Sequence, residues 1–160
     1  MQLPDLEIRR AVPADQAAVE SCVRAAYTPY IEEIGVSPAP LHDDYGQLIA
    51  GGRVWVAASA SGEVVGVIVM FIAEDHILLD NAAVPPEWQG RGLSRRFSAL
   101  AKREARRHGI DTLRLYTNAK MTKNLELYRK RGWVEVARRA EAGYDRVYME
   151  RKLGDEEGWE

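Results

Sequence analysis

The segment 76–108 constrains the fold more than any other, because it predicts a strand, a glycine-bearing loop and a helix in direct succession (HILLDNAAVPPEWQGRGLSRRFSALAKREARRH). The apolar strand is predicted over 76–84, and a Pro-Pro turn separates it from the loop Gln-Gly-Arg-Gly-Leu-Ser. The first N–H groups of a helix lack intrahelical partners, and the helix dipole is positive there. Since glycine lets an anion approach the backbone, the segment predicts either a phosphate-binding loop or an ordinary strand–turn–helix connection.

Motifs in and after the loop narrow this choice: GxGxxG would need glycine where Arg95 stands, and GxxxxGK[ST] does not occur. The pattern present is Q-x-x-G-x-[GA] with Ser94 in its last place and the strand that ends at Val84 before it. N-x-x-x-Y, from Asn124 to Tyr128, follows. With these motifs nearly the whole chain resembles the GNAT superfamily of N-acetyltransferases. Ser94 departs from the family's usual Gly or Ala, which tightens the fit and adds a hydroxyl that can bond a phosphate oxygen.

The composition is that of one globular domain. The 160 residues suffice for a sizeable core, predicted over 1–153, with a frayed tail at 154–160. The net charge of −2 makes no case for a nucleic-acid or membrane partner, and no apolar run reaches the roughly 18 residues of a membrane span. The N-terminus lacks a signal-peptide core, so the predicted location is the cytoplasm. The single cysteine, Cys22, excludes an internal disulfide and is predicted to be a core residue rather than a nucleophile.

Hydrophobic periodicity and chain breakers predict an α/β (α+β) chain in the order β-α-α-β-β-β-α-β-α-β-β. Strands are predicted over 6–12, 53–60, 63–73, 76–84, 112–117, 133–138 and 144–153. Helices are predicted from residue 13 onward, near 29–34 and 43–50, from the glycine loop to residue 108, and over 122–131. Hairpins combined with βαβ crossovers predict a mixed, mostly antiparallel sheet of six to seven strands flanked by about four helices. The GNAT resemblance implies the same order, with two central strands splayed apart.

The resemblance also implies acetyl-CoA as the co-substrate. In the family, backbone groups at the end of the central strand pair with the pantetheine arm, and N–H groups of the glycine loop hold the pyrophosphate. An asparagine reaches the pantetheine or pyrophosphate side, and arginines near the loop suit bidentate phosphate contacts. The positions that match are Ala82, Ala83, Val84, Gln89, Gly90, Arg91, Gly92, Leu93, Ser94, Arg95, Asn124 and Tyr128. The alternative for Asn124 is a helix-surface residue, and most of the basic residues after the loop form a solvated helical face.

Two side chains are the candidate catalytic residues. Tyr128 matches the family tyrosine near the cofactor sulfur and is predicted to hydrogen-bond or protonate the departing thiolate; the alternative is a core tyrosine. Asp80 lies inside the central strand, where burial raises the pKa of a carboxyl group toward that of a useful base; the alternative is a structural carboxylate. His76 and Tyr116 are weaker candidates for the base. The resemblance further implies that a backbone N–H near Val84 stabilises the oxyanion.

The acceptor is predicted from a charge asymmetry. Between positions 25 and 52 there is no Lys or Arg, whereas acidic residues occur, including Glu32 and Glu33. In the family this region walls the acceptor side, so its charge favours a small cationic amine, such as a polyamine, an aminoglycoside-like amine or a basic amino-acid derivative. The alternative is that these acids serve only solubility. Asn81 and Asn118 are predicted to bind substrate or to brace the strands, and no histidine has the spacing of a metal ligand, so no metal is predicted.

The predicted function is direct transfer of the acetyl group of acetyl-CoA to a primary amine of a small molecule. No covalent acetyl-enzyme is expected, because no cysteine falls within the site motifs. Two alternatives stay open: a non-catalytic acyl-CoA-binding sensor on the same fold, and an acetyltransferase that modifies a protein. The lack of a broad basic surface argues against a nucleic-acid substrate. Family precedent favours a homodimer, for which the sheet edge near 133–153 is the predicted interface.

Overall fold

The computed structural model describes residues 5–154. In that part of the chain the strands are β1 (Glu7–Arg10), β2 (Val54–Ala58), β3 (Val64–Ile72), β4 (Ile77–Ala83), β5 (Thr112–Asn118), β6 (Val134–Glu141) and β7 (Tyr144–Lys152). The α-helices are α1 (Gln16–Tyr27), α2 (Tyr30–Ile34), α3 (Tyr45–Ala50), α4 (Leu93–Arg107) and α5 (Thr122–Lys130). Except for Gly154, the predicted tail lies outside the described residues. No helix among those described is both long and apolar enough to cross a membrane.

The strands of the described chain form one seven-stranded sheet in the order β1-β2-β3-β4-β5-β7-β6. β4 and β5 pair in parallel, whereas β1–β2, β2–β3, β5–β7 and β6–β7 pair antiparallel. The predicted mixed, mostly antiparallel sheet is thereby confirmed. Residues 5–154 contain five α-helices, of which α2 and α3 are the two short helices predicted near 29–34 and 43–50.

Backbone contacts divide the described chain into two compact units, residues 5–70 with 81–97 and residues 71–80 with 98–154. In the first unit, one face of α1 is buried, and Cys22 on that face, predicted to be a core residue, is 4% exposed. Burial raises the pKa of the Cys22 thiol to about 12, so the thiol stays protonated and is a core group rather than a nucleophile. β3 is buried from Val65 to Met70, which agrees with the cover on both faces that its continuous apolar run predicts.

The second unit is built on β5 and β7, which pair along the whole of β5. Side chains such as Leu113 and Met149 point into its core and are fully buried. β6 is the edge strand, and it runs to Glu141, beyond the predicted end at 138. The turn that follows uses Ala142 at a φ of 53°, a conformation that alanine rarely adopts. The turn therefore lacks the Asn-Gly or Asp-Gly signal that would predict it.

Candidate active site

The loop between β4 and α4 is shaped by prolines and glycines. The two prolines after Val84 cannot donate to a strand ladder, so β4 ends before them and a short 3-10 turn follows. Gly90 and Gly92 then take φ values of 77° and 90°, in the left-handed region that side chains disfavour. α4 begins at the next residue, Leu93. The chain thus passes from strand to helix through a glycine loop, as predicted.

The two glycines leave open space above the loop. A β-carbon placed on Gly90 or Gly92 would meet no other atom within 4 Å. The Gln89 side chain turns back instead, and its Nε2 donates to the carbonyl oxygen of Val84 at 2.9 Å. This bond ties the loop to the end of β4, and the first N–H groups of α4, which a helix leaves unpaired, follow Gly92 directly in the chain. The loop therefore has the shape and polarity that fit a phosphate group.

Close packing fixes the base of the loop, and the residue responsible, Gly66, is not among the predicted site residues. A β-carbon on Gly66 would come within 2.6 Å of Leu93 Cδ2 and 3.1 Å of Phe97 Cζ, so this point of β3 lies directly against the first turns of α4. Leu93 and Phe97 are 1% and 2% exposed. This contact holds the start of α4 in place. A lone glycine inside the apolar run VVGVIVMFI is the sequence signal for such a close approach.

The arginines that flank the loop have different partners. The Arg91 guanidinium lies over the Trp88 ring, 4.6 Å from its centroid, and this cation–π contact holds the charge beside the loop. Arg95 is exposed in the first turn of α4. Arg96 donates from Nη2 to the Leu6 carbonyl oxygen at 3.2 Å and braces the chain that leads into β1. Arg91 and Arg95 are therefore the cations available for a phosphate in the loop.

The last residues of β4 are bonded to tyrosines at the ends of α1 and α3. The Tyr27 hydroxyl donates to the Ala82 carbonyl oxygen at 3.2 Å, in an exposed position. Asn81 is 7% exposed, and its Nδ2 donates to the Tyr45 hydroxyl at 3.4 Å. Asp44 caps α3 by accepting a backbone N–H bond of 3.0 Å, which fixes the helix that begins with Tyr45. The sequence carries no signal for either tyrosine, because both contacts join residues far apart in the chain.

The predicted base lies in a group of side chains from four strands, the Asp80 cluster, which comprises Asp80, Tyr116, Glu141 and Arg146. The Tyr116 hydroxyl donates to Asp80 Oδ1 at 2.6 Å. The Arg146 guanidinium lies 4.4 Å from the centroid of the Tyr116 ring and 3.6 Å from Glu141 Oε1. Burial raises the pKa of Asp80 above its ordinary value, and the Tyr116 hydrogen bond and the Arg146 charge oppose that shift.

Of the two weaker candidates for the base, Tyr116 belongs to the Asp80 cluster and His76 lies against Asp75 instead. The cluster also contains Arg146, which the sequence did not predict as a site residue. Tyr116 belongs to the cluster as a hydrogen-bond donor to Asp80, so it supports that carboxylate. His76 lies instead with its Nδ1 2.7 Å from Asp75 Oδ1, a contact that lowers the pKa of Asp75. Arg146 comes close to Tyr116 because β7 pairs antiparallel with β5 in a register that places Arg146 opposite Asn118. No local motif marks such a residue.

α5 carries the N-x-x-x-Y pattern. Asn124 and Tyr128 are half-buried and stand one helical turn apart, so they share a face of the helix. The Tyr128 ring packs edge-on against Trp133, with centroids 6.0 Å apart and an interplanar angle of 64°. This contact fixes the ring and is compatible with both the catalytic and the core interpretation. The roles of Asn124 and Tyr128 stay predictions.

The predicted acceptor residues are divided between surface and turn positions. Glu32 and Glu33 are exposed in the first turn of α2, where their charges reach solvent. Asn118 Oδ1 accepts a hydrogen bond of 2.9 Å from the Lys120 N–H, which stabilises the turn after β5 and favours the bracing role of this side chain. Within residues 5–154, no group of three or more His, Cys, Asp or Glu side chains could hold a metal ion.

Known proteins match this chain in family and in fold. The model of the acetyltransferase (GNAT) family matches residues 19–133. The PaiA N-acetyltransferase of Thermoplasma acidophilum, solved with coenzyme A, is 19% identical with a TM-score of 0.72, covering 92% of this chain and 99% of its own. Nourseothricin acetyltransferase is 21% identical with a TM-score of 0.66, covering 92% and 98%. The NatC complex bound to Gag peptide and CoA is 15% identical with a TM-score of 0.65, covering 94% and 99%. No curated protein matches the sequence significantly.

Proposed function

This chain belongs to the acetyltransferase (GNAT) family, and we propose that it transfers the acetyl group of acetyl-CoA directly to the primary amine of a small cationic molecule. The observation that carries the proposal is the glycine loop, where nothing lies above the backbone of Gly90 and Gly92. A phosphate of the co-substrate fits that space and would accept bonds from the N–H groups at the start of α4. Arg91 and Arg95 would add charge-assisted contacts.

Some of the other predicted cofactor-binding residues would contact acetyl-CoA through their backbone and others through their side chains. Ala83 and Leu93 are 1% exposed, so only their backbone groups are available to a ligand. The Val84 and Ala82 carbonyl oxygens already accept from Gln89 and Tyr27, and a carbonyl oxygen has a second lone pair for a pantetheine N–H. The backbone N–H groups of these residues would serve the pantetheine arm and the oxyanion. Among the predicted contributors, Ser94, Asn124 and Tyr128 would act through their side chains.

Asp80 is proposed as the group that accepts the amine proton, directly or through water. An amine of pKa about 10 is neutral in only about one molecule in a thousand at pH 7, so the attacking nitrogen must lose a proton. The raised pKa of Asp80 makes its carboxylate a better base than an exposed one. The nitrogen then bonds to the acetyl carbonyl carbon, the carbon–sulfur bond breaks, and the CoA sulfur leaves with the bonding electron pair.

Tyr128 is proposed to stabilise that leaving sulfur. A free tyrosine has a pKa near 10 and a thiol near 8.5, so complete proton transfer to the thiolate is uphill by about 2 kcal/mol. A hydrogen bond from the hydroxyl lowers the barrier without full transfer. A backbone N–H near Val84 would stabilise the charge on the acetyl oxygen, a contribution of about 3 kcal/mol for one such donor.

The acceptor class follows from charge. Glu32, Glu33, Asp43 and Asp44 are all exposed, and no Lys or Arg lies between positions 25 and 52. Their field attracts cations, so an amine with a second positive charge should bind better than a matched monoamine. Among proteins of similar fold, one is a nourseothricin acetyltransferase and another, the NatC complex, is bound to a Gag peptide. The fold alone therefore leaves the acceptor to the site.

The decisive experiment measures release of the CoA thiol from acetyl-CoA against a panel of spermidine, kanamycin, lysine amide, matched monoamines and peptides with free N-termini. Turnover with a small diamine or polyamine that exceeds turnover with peptides supports the proposal. Acetyl-CoA binding by calorimetry without thiol release for any member indicates a sensor. Faster turnover of the peptides than of every small amine contradicts the proposed acceptor class.

A further inference from the structure

Asn81 carries a buried hydrogen-bond acceptor without a partner among the described residues. Its side chain is 7% exposed, and Nδ2 is bonded to Tyr45. Oδ1 is shielded from solvent and accepts no hydrogen bond from any group within residues 5–154. Burying an oxygen in this way is costly, so folded proteins retain such a group where a ligand or a bound water pairs with it.

Tyr45 determines which end of the amide is unpaired. A tyrosine hydroxyl has one proton, and Tyr45 donates it to the Pro40 carbonyl oxygen at 2.7 Å. Toward Asn81 the hydroxyl can therefore only accept, so it must face Nδ2. A reversed amide would place two acceptor oxygens against each other. The chain of bonds from Pro40 through Tyr45 thus directs an acceptor, and not a donor, away from α3.

We infer that Asn81 Oδ1 binds an N–H group of the acceptor amine and orients it for acetyl transfer. An acceptor oxygen selects a donor, and a primary amine or ammonium group presents two or three N–H bonds. The amide N–H groups of a pantetheine arm are the other source of such a donor. A ligand that pairs with the strand backbone lies in the plane of the sheet, however, whereas side chains stand perpendicular to it. The geometry therefore favours the amine.

This inference rests on the proposed function and adds the group that positions the acceptor. Asn81 would touch the substrate, and Tyr45 would be a positioning residue that acts through Asn81. Because Oδ1 is shielded from water, its bond to the amine should be stronger than one made at the surface. The amine must displace the atoms that shield the oxygen, so its binding should be accompanied by a local rearrangement.

The test compares Asn81→Leu, Tyr45→Phe and the double variant with the wild type, using the best amine of the panel. Asn81→Leu should raise the KM of the amine about tenfold and leave the KM of acetyl-CoA unchanged. Tyr45→Phe should raise the same KM by less, and should add nothing in the Asn81→Leu background, because its effect passes through Asn81. Gln47→Leu, which removes an exposed amide from the same helix, is the control.

A second readout does not depend on turnover. The side-chain amide resonance of Asn81 in 15N-labelled protein should shift when the amine is added and stay in place with coenzyme A alone. Melting temperatures check folding, because Tyr45→Phe leaves the Pro40 carbonyl oxygen and Asn81 Nδ2 without the partner that they have in the wild type.

Two results would overturn the inference. A shift with coenzyme A alone, with weaker acetyl-CoA binding in Asn81→Leu, would assign Oδ1 to the pantetheine arm. Unchanged constants for both ligands would assign it to a bound water. Absence of thiol release from the wild type would instead count against the proposed function, and the amine titration by resonance would still decide the role of Asn81.

Discussion

The glycine loop and the Asp80 cluster differ in which groups they present, since the loop presents backbone groups and the cluster presents side chains. In the loop, backbone N–H groups are proposed to bind the co-substrate phosphate, which requires the open space above Gly90 and Gly92. In the Asp80 cluster, the register of the strands brings together a carboxylate, a phenol and a guanidinium, and these side chains are proposed to provide the chemistry. The loop should therefore be damaged by adding atoms, and the cluster by removing them.

Adding a side chain at Gly92 should have the largest effect. Gly92→Val should abolish measurable acetyl-CoA binding, because the new side chain would fill the space for the phosphate and disfavour the φ of 90°. Titration calorimetry against acetyl-CoA measures the loss, and circular dichroism checks that the variant folds. Unchanged affinity in a folded Gly92→Val protein would remove the argument for a phosphate loop.

Gly62 offers a matched control for this prediction. It also has a φ of 90° and nothing within 4 Å of an added β-carbon, but it lies in the hairpin between β2 and β3. Gly62→Val therefore carries a similar backbone strain without entering the loop, and it should lower the melting temperature without changing acetyl-CoA affinity. A loss of affinity in both variants would attribute the effect to strain rather than to the phosphate site.

Removing one oxygen from Tyr128 should have the next largest effect. Tyr128→Phe keeps the ring that packs on Trp133 and deletes the hydroxyl that is proposed to assist the leaving sulfur. We expect kcat to fall about 100-fold or more, with acetyl-CoA affinity little changed. Steady-state kinetics and calorimetry together measure the two constants. A normal kcat would assign Tyr128 to packing alone.

The same contrast explains what could be predicted from the sequence. The loop is contiguous, so glycine spacing and the two prolines suffice to predict its position and the start of α4. The contact of Gly66 with Leu93 is marked by a lone glycine in a strand, although its partner is not. Tyr45 and Arg146 could not be predicted, because each meets its partner only after helix packing or strand register brings distant residues together.

Boundaries show the same limit. The sequence predicts most strands and helices to within a few residues, since hydrophobic period and breakers are local signals. The end of β6 was missed because Ala142 occupies a turn position for which glycine or asparagine is the usual signal. The pKa of Asp80 was predicted to rise with burial, and it does rise, but the opposing effect of Arg146 depends on its three-dimensional position.

Removing Arg146 should change the pH dependence of the reaction. The Arg146 charge opposes the burial that raises the pKa of Asp80, so Arg146→Met should raise this pKa further. A base must be ionised to accept a proton, and the acid limb of kcat/KM should therefore move to higher pH. Arg146→Lys keeps the charge and should move the limb less. Full pH–rate profiles measure the shift.

Two variants test the assignment of that limb. Asp80→Asn cannot ionise, so its residual activity should lack the limb altogether. Arg139→Met removes a neighbouring cation that lies over the Tyr148 ring, and it should leave the limb where it is in the wild type. A limb that moves equally in Arg139→Met and Arg146→Met would reflect general surface charge rather than the Asp80 cluster.

The smallest effect is expected from Glu32 and Glu33, whose exposed carboxylates are proposed to attract a cationic acceptor. Glu32→Gln with Glu33→Gln should reduce the kcat/KM advantage of diamines over matched monoamines by a few-fold at low ionic strength, because exposed charges act over about 10 Å and are screened by salt. At high salt, wild type and variant should converge. Glu74→Gln with Glu126→Gln makes the same change in net charge at exposed positions elsewhere and should preserve the advantage. Equal loss in both double variants would show that only total charge matters, and an undiminished advantage in the first would remove Glu32 and Glu33 from the acceptor site.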